Sequence, residues 1–382
     1  MDISMRGIIA PVLVHERDLE IVPPDLEIAL MFSLSEYDKR RHELHREAKY
    51  DFFSKMLWPL NLIQAGAENY LGIDGLSFFD LQFKTTQFFD KNLVIELDQE
   101  PRDHQARLDL ISKFLLEITA PLKKEFKILG IISPEILHGL VPLIKLATDK
   151  PITSGKLDSS LSTDNLINIV NQYNHTLKEI EEIIIKWHNF QTKLTQKSKN
   201  WGTYYSKSES SESYKLLQEK FAELDKKISE KIWNCRNEID YLFHWALSGR
   251  TLNIITPINE IWVPIYIAGL ILPNNTRKFL LFPPSIVSST MKSSRWVPVD
   301  SFHSSFYKIL KEKVENMLDA QAPLTQKFIE SCKTQNLFLK EEANSLVTRG
   351  FDRLREKKLI EPKYLDAVQL EWQKAFNAFK NK

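Results

Sequence analysis

Two long stretches of this chain carry apolar residues at steps of three and four, and they constrain the fold more than any other feature. In Asp164–Gln196 the stripe runs Leu166, Ile169, Tyr173, Leu177, Ile180, Ile184, Trp187 and Leu194, with Gln191 filling one slot. In Glu212–Leu247 it runs Tyr214, Leu217, Phe221, Leu224, Ile228, Ile232, Cys235, Ile239, Leu242 and Ala246. Such spacing keeps one helical face on one partner, as in a coiled coil. Ser162, Thr163 or Asp164 can cap the first helix, and Gly249 can stop the second. At about 1.5 Å per residue each helix reaches roughly 50 Å. A short polar connection makes the two antiparallel neighbours. The pair reads as an arm projecting from a body. The competing arrangement is a flat bundle, which the consecutive Ile183, Ile184 and Ile185 would favour.

The arm is flanked by two segments that resemble each other, Met56-Leu-Trp-Pro-Leu-Asn-Leu-Ile63 and Ile261-Trp-Val-Pro-Ile-Tyr-Ile-Ala268. Aligning Pro59 with Pro264 matches apolar, Trp and Pro positions nearby. Each copy runs into a polar turn and a short apolar strand, which ends at Asp74-Gly75 or at Pro283-Pro284. This points to two equivalent β-hairpins, although two unrelated edge strands can share such features. Strands are also expected at 7–14, 79–85, 93–97, 252–256 and 278–282, from their aromatic and β-branched content. Val22-Pro-Pro-Asp25 reads as a turn, and Glu36–Leu57 as a helix that Pro59 ends. Further helices are expected at 102–119, 134–147, 301–318, 324–334, 340–357 and 362–380, and a loop at Ser285–Arg295.

The expected fold class is α+β: two small β-containing halves, an inserted long antiparallel helical hairpin (coiled coil) and a C-terminal helical region. The boundaries fall at 1–150 for an N-terminal α/β half, 151–249 for the hairpin, 250–320 for the second β-containing half and 321–382 for the C-terminal helices.

Composition narrows the function classes. The chain has 51 basic and 50 acidic residues in 382, a net charge of +1, so no global field steers it toward nucleic acid or anionic lipid. Eleven glycines are few for a fold that cradles phosphates in Gly-rich loops. Cys235 and Cys332 lie far apart with no CxxC partner, which argues against a disulfide framework or a cysteine zinc site and fits a reducing compartment. Met1–Arg6 lacks the features of a signal peptide. The longest apolar run, Ile261–Leu272, is interrupted by Pro264 and falls short of the roughly 20 residues a membrane span needs. The expectation is a cytoplasmic protein with no membrane insertion and no cofactor.

Four constellations could carry chemistry. Asp74, Gln82 and Lys84, with Glu47 upstream, approximate the acid and acid-x-Lys pattern of metal-dependent nucleases, in which acids hold a cation and Lys orients water. Gln is a poor ligand for a hard cation, and an Asp-Gly turn beside a solvated Lys explains the same residues. His42 and His45 lack both the HExxH spacing and a third ligand. The basic run containing Lys39, Arg40 and Arg46 offers a phosphate-contacting helix face, balanced by Glu36, Glu43 and Glu47. At the hairpin tip, Lys197, Lys199, Trp201, Tyr204, Tyr205 and Lys207 interleave aromatics with cations. That pattern suits base stacking or a partner's pocket, or else a cap on the hydrophobic seam. These features favour a non-enzymatic interaction or scaffold protein acting on itself or a protein partner through the arm. A nuclease-like enzyme and a nucleic-acid-binding regulator are the alternatives.

Overall fold

The structure is a computed structural model. It describes residues 6–15, 20–41, 47–64, 69–89, 91–101, 103–119, 123–152, 155–157, 161–205, 211–246, 259–287, 305–319, 323–356 and 360–381. The fold is α+β with mixed sheets. Its centre is a pair of long strands, β3 (Lys49–Gln64) and β9 (Asn259–Ile271). They lie in a seven-stranded sheet with β1 (Arg6–Ile9), β4 (Tyr70–Asp74), β7 (Thr148–Pro151), β8 (Gly155–Lys156) and β10 (Arg277–Phe282). Two smaller sheets join β2 (Leu13–His15) to β11 (Ser285–Val287) and β5 (Asp80–Thr86) to β6 (Lys123–Leu129).

The two Trp-Pro segments lie side by side. β3 and β9 pair antiparallel from Lys49–Ile271 to Leu62–Asn259, with Leu57 opposite Pro264 and Pro59 opposite Trp262. An offset of 205 residues, which carries Pro59 onto Pro264, exchanges these last two pairs. The same offset relates their outer neighbours. β8 meets β3 in parallel at Met56 and Leu57, and β1 meets β9 in parallel at Trp262. The Leu157 amide donates to the Leu57 carbonyl at 3.0 Å, and the Ala10 amide to the Trp262 carbonyl at 2.9 Å. Farther along, β4 pairs antiparallel with Leu60–Gln64, and β10 with Tyr266–Ile271. The two segments are equivalent about a local two-fold axis.

A proline in a central strand ordinarily removes a ladder donor. Here neither proline does. The Pro59 carbonyl accepts from the Gly75 amide at 2.9 Å, on the outer side toward β4. In an antiparallel strand, nitrogen and carbonyl of one residue point to the same side. The Pro59 nitrogen therefore faces the gap between β8, which pairs as far as Leu57, and β4, whose pairing starts at Leu60. Pro264 occupies the equivalent gap between β1 and β10.

Side chains of the central strands alternate between faces. Met56, Trp58, Leu60, Val263 and Ile265 pack with α4 (Pro134–Lys145), α7 (Ser305–Asp319) and α8 (Pro323–Thr334). Phe53, Tyr266, Ala268 and Leu270 face α1 (Pro24–Arg41), α9 (Glu341–Glu356) and α10 (Pro362–Lys380). Phe32, Phe338 and Trp372 form an aromatic centre there, with Trp372 5.0 Å from Phe32 and 4.9 Å from Phe338 between ring centroids. Asn336 fastens the C-terminal helices to the sheet, its buried side-chain oxygen accepting from the amides of Phe53 and Phe338 at 3.1 and 3.2 Å.

The two heptad stretches form α5 (Thr163–Tyr205) and α6 (Ser211–Trp245). They run antiparallel: the Tyr173 hydroxyl donates to the Leu242 carbonyl, Gln191 donates to Asp225 at 2.9 Å, and Trp201 packs on Phe221 at 5.4 Å. They do not project as an arm. Their apolar stripe belongs to one core with α3 (His104–Thr119), β4, β5 and β6. Phe88 and Phe89, after β5, each sit 4.8 Å from Trp187, and Lys220 donates to Ser112 of α3 at 3.0 Å. Ion pairs from Lys193 to Asp98 and from Lys124 to Glu179 close the edges. A stripe wide enough to include Ile183 and Phe190 cannot be covered by one partner helix, so it recruits the body.

Other departures from the sequence reading have local causes. The first helix starts at Pro24, not near Glu36, because its opening position has no use for an amide donor. It ends at Arg41, and 49–57 belongs to β3. Leu93–Leu97 lies in α2 (Lys91–Asp98), where Val94 and Leu97, three apart, turn to the hairpin core. Ser285–Val287 is paired with β2, and the Ser285 amide donates to the Val12 carbonyl at 2.7 Å. The expected strand at 252–256 lies outside the described residues.

Gly350 marks the closest approach of α1 and α9. A Cβ there would collide with the Asp25 carbonyl oxygen and lie 2.7 Å from the Ala29 Cβ. Gly350→Ala should therefore destabilise the fold by about 1–3 kcal/mol, the usual cost of overpacking. A urea midpoint equal to that of the parent would show that the two helices do not cross this closely.

Candidate functional site

A cleft of about 570 Å³ opens on the sheet face shared by α1 and α9, within the size range of small-molecule sites. Its polar floor comes from three distant points of the chain. Lys55 and Tyr266 stand opposite each other on β3 and β9. Glu27, in the first turn of α1, reaches down between them. The Tyr266 hydroxyl and the Lys55 ammonium both donate to Glu27 Oε1, at 2.6 and 2.7 Å. The ammonium also lies 5.7 Å from the Tyr266 ring centroid. Burial, reinforced by the Glu27 charge, pushes the Tyr266 phenol well above its ordinary value. Tyr266 thus stays protonated and acts as a fixed donor, not as a base. Lys150 and Lys340 border the opening together with Glu342.

Sequence reading missed this site because no local pattern contains it. Lys55 is the one charged residue of 52–64, and Glu27 follows a Pro-Pro pair that reads as a turn. Those two anomalies were the only signals, and nothing linked them to Tyr266.

At the hairpin tip, Trp201 and Tyr205 cap the hydrophobic seam, one of the arrangements their sequence allows. α5 continues through Gly202 to Tyr205, because Trp201 and Tyr205, four apart, extend the buried stripe. Trp201 is 1% exposed. The Arg107 guanidinium covers it at 5.3 Å from one ring centroid, with Tyr205 at 5.4 Å. Tyr205 also hydrogen-bonds His104 Nδ1 at 2.6 Å and stacks on Tyr214. Lys199 is exposed and Lys197 half-buried. Lys207 and the Tyr204 side chain lie outside the described residues.

The hairpin does present apolar groups on its outward side. Trp233 of α6 is 64% exposed and Ile185 of α5 is 57% exposed. Arg236, one turn from Trp233, contacts His188, one turn from Ile185, at 3.2 Å. Gln191 donates to both Asp225 and Ser229, which sets it level with Lys227; in an antiparallel pair, six residues back in α5 and six on in α6 bring Ile185 and Trp233 to the same level of the hairpin. Exposed Glu181, Glu182, Lys186 and Glu230 surround them.

The basic run is not an open phosphate patch at Lys39. That side chain is buried, paired with Glu36 at 3.2 Å and Glu371 at 3.5 Å, and lies over the Tyr50 ring. Arg40 pairs with Glu36 and sits over Tyr364. Arg46 lies outside the described residues.

The nuclease-like residues are not assembled. Asp74 is wholly buried, and its carboxylate accepts from the Trp58 indole and the amides of Leu76 and Phe78. Gln82 donates to Asp80 at 2.8 Å, and Lys84 pairs with Glu125 across β5 and β6 on an exposed surface. Glu47 is exposed. Among the described residues no group of three His, Cys, Asp or Glu side chains is placed to hold a metal ion. Cys235 and Cys332 are free and buried; desolvation first, then the charge of Glu238, pushes the Cys235 thiol up to about 12. No described helix is long and apolar enough to cross a membrane.

With this geometry in place, comparison with known proteins adds no identity: no family model, no curated protein and no solved structure matches the chain.

Desolvation pushes the Asp74 carboxyl up to about 6, against the pull of its hydrogen-bond donors. A raised acid is favoured in its protonated form, so the stability it contributes is complete below about pH 4 and is lost as pH rises through 6. The Asp74 carboxyl carbon should titrate near 6 in a ¹³C NMR series. A midpoint near 4 would contradict its burial.

Proposed function

We propose that this chain is a non-enzymatic interaction protein that self-associates through the outward face of the α5–α6 hairpin. The observation that carries the reading is the placement of Trp233 and Ile185 at one level of that face, both largely exposed. Trp anchors dominate binding hot spots. We read the inner seam of the hairpin as an antiparallel coiled coil that stiffens the face.

A second copy fits this surface better than an unrelated partner, because the border carries both signs of charge. Glu181 and Glu182 lie near Ile185, and Arg236 lies near Trp233. A two-fold contact would set the Trp233 of each copy against the Ile185 of the other and pair acidic with basic borders. Two helices about 50 Å long and each about 10 Å wide offer on the order of 1,000 Å². A standard interface needs about 800 Å² per partner.

Sedimentation velocity tests the idea. The parent protein should show a concentration-dependent dimer, and Trp233→Glu should sediment as a monomer with unchanged circular dichroism and melting. A parent that remains monomeric at the highest concentrations reached, or a dimer indifferent to both Trp233→Glu and Ile185→Glu, would remove the proposal.

A further inference from the structure

We infer that the cleft over Lys55 and Tyr266 is a binding site for a metabolite-sized organic anion: a compact apolar body bearing one carboxylate, sulfonate or phosphate group. The inference is independent of the hairpin.

The cleft exists because the local two-fold is broken at one position. The 205-residue offset places Leu57 where the other half has Trp262. In that other half, Trp262 is buried, packs against Gly7 and lies under Lys156, whose ammonium is 4.3 Å from the ring. On this side the smaller Leu57 lines an open space. The floor residues differ in the same way. Lys55 and Tyr266 correspond to Glu260 and Asn61, which also face each other across the strands. One half is filled by an indole, and its equivalent is hollow and carries a lysine and a phenol.

The walls favour an apolar body. Pro11, Pro23, Pro24 and Pro151 all face the cleft. They bring no amide donors, and their fixed backbones keep the space formed before a ligand arrives, which lowers the ordering cost of binding. The charges favour an anion. Glu27 and Lys55 neutralise each other at 2.7 Å. What remains is Lys150 and Lys340 against Glu342, together with the positive end of the 18-residue α1, whose first turn borders the cleft. Lys55 spends one of its three N–H donors on Glu27 and keeps two for a ligand.

The probe is 8-anilino-1-naphthalenesulfonate, an apolar body with one sulfonate, and its uncharged counterpart N-phenyl-1-naphthylamine. The full chain should bind the sulfonate saturably at one site, with a fluorescence increase that weakens as salt rises. Reversing both border lysines, Lys150→Glu with Lys340→Glu, should weaken it at least tenfold while leaving the uncharged probe little changed. Leu57→Trp, which restores the ring present in the other half, should abolish binding of both probes. Because Leu57 is in the core, Leu346→Trp, at a half-buried position of the lining, provides a second way to close the cleft. Trp233→Glu should leave binding untouched, which separates this site from the hairpin face. Absence of saturable binding overturns the inference, as does binding unaffected by either cleft-closing variant. Equal binding of the two probes with no response to lysine reversal overturns its anionic part.

Discussion

The pairing of β3 with β9 is the interaction on which the rest of the structure depends. Every other strand of the main sheet except β7 is attached directly to one of the two. Both helical layers rest on their alternating side chains. The pairing also brings 49–64 and 259–271 together across roughly half the chain. The halves that look separate along the sequence therefore share one sheet, and neither buries its long strand without the other. The hairpin, inserted between them, fills the remaining side of the N-terminal half and shares a core with β4, β5, β6 and α3.

The local two-fold explains how such a centre is compatible with a proline in each strand. A ladder with a missing donor tolerates that gap only where no acceptor waits for it. Both strands change outer partner at the same equivalent place, from a short parallel strand to an antiparallel one. Pro59 and Pro264 sit at those changes. The likeness between the two segments is thus a statement about how each strand is bordered, as much as about what it buries.

Much of this architecture was legible. Helices α3, α4 and α7 to α10 follow from periodicity and from prolines at their first positions. The equivalence of the Trp-Pro segments was visible in eight residues of each copy. What was not legible depends on partners brought from elsewhere. The tip aromatics fit an exposed cluster as well as a cap because nothing near Trp201 in sequence covers it; Arg107 does, from α3. Lys39 read as a solvent-facing cation because Glu371 lies more than 300 residues away. Asp74 fits a metal-ligand pattern as well as an Asp-Gly turn because the sequence does not show that an indole and two amides already occupy its oxygens. The cleft is the extreme case, since Glu27, Lys55 and Tyr266 share no element.

The prolines have a second consequence, on the time axis of synthesis. β3 is made some two hundred residues before β9, and pairing across such a separation is slow because a long loop must close first. During that interval an apolar strand rich in Phe, Leu and Trp has its inner edge open, the kind of segment that stacks with copies from other chains. A strand lacking one amide cannot continue an unbroken ladder with identical neighbours, and Lys55, four residues earlier, adds like-charge repulsion to any in-register stack. The residue that the finished sheet accommodates without loss is therefore also a guard on the unfinished one.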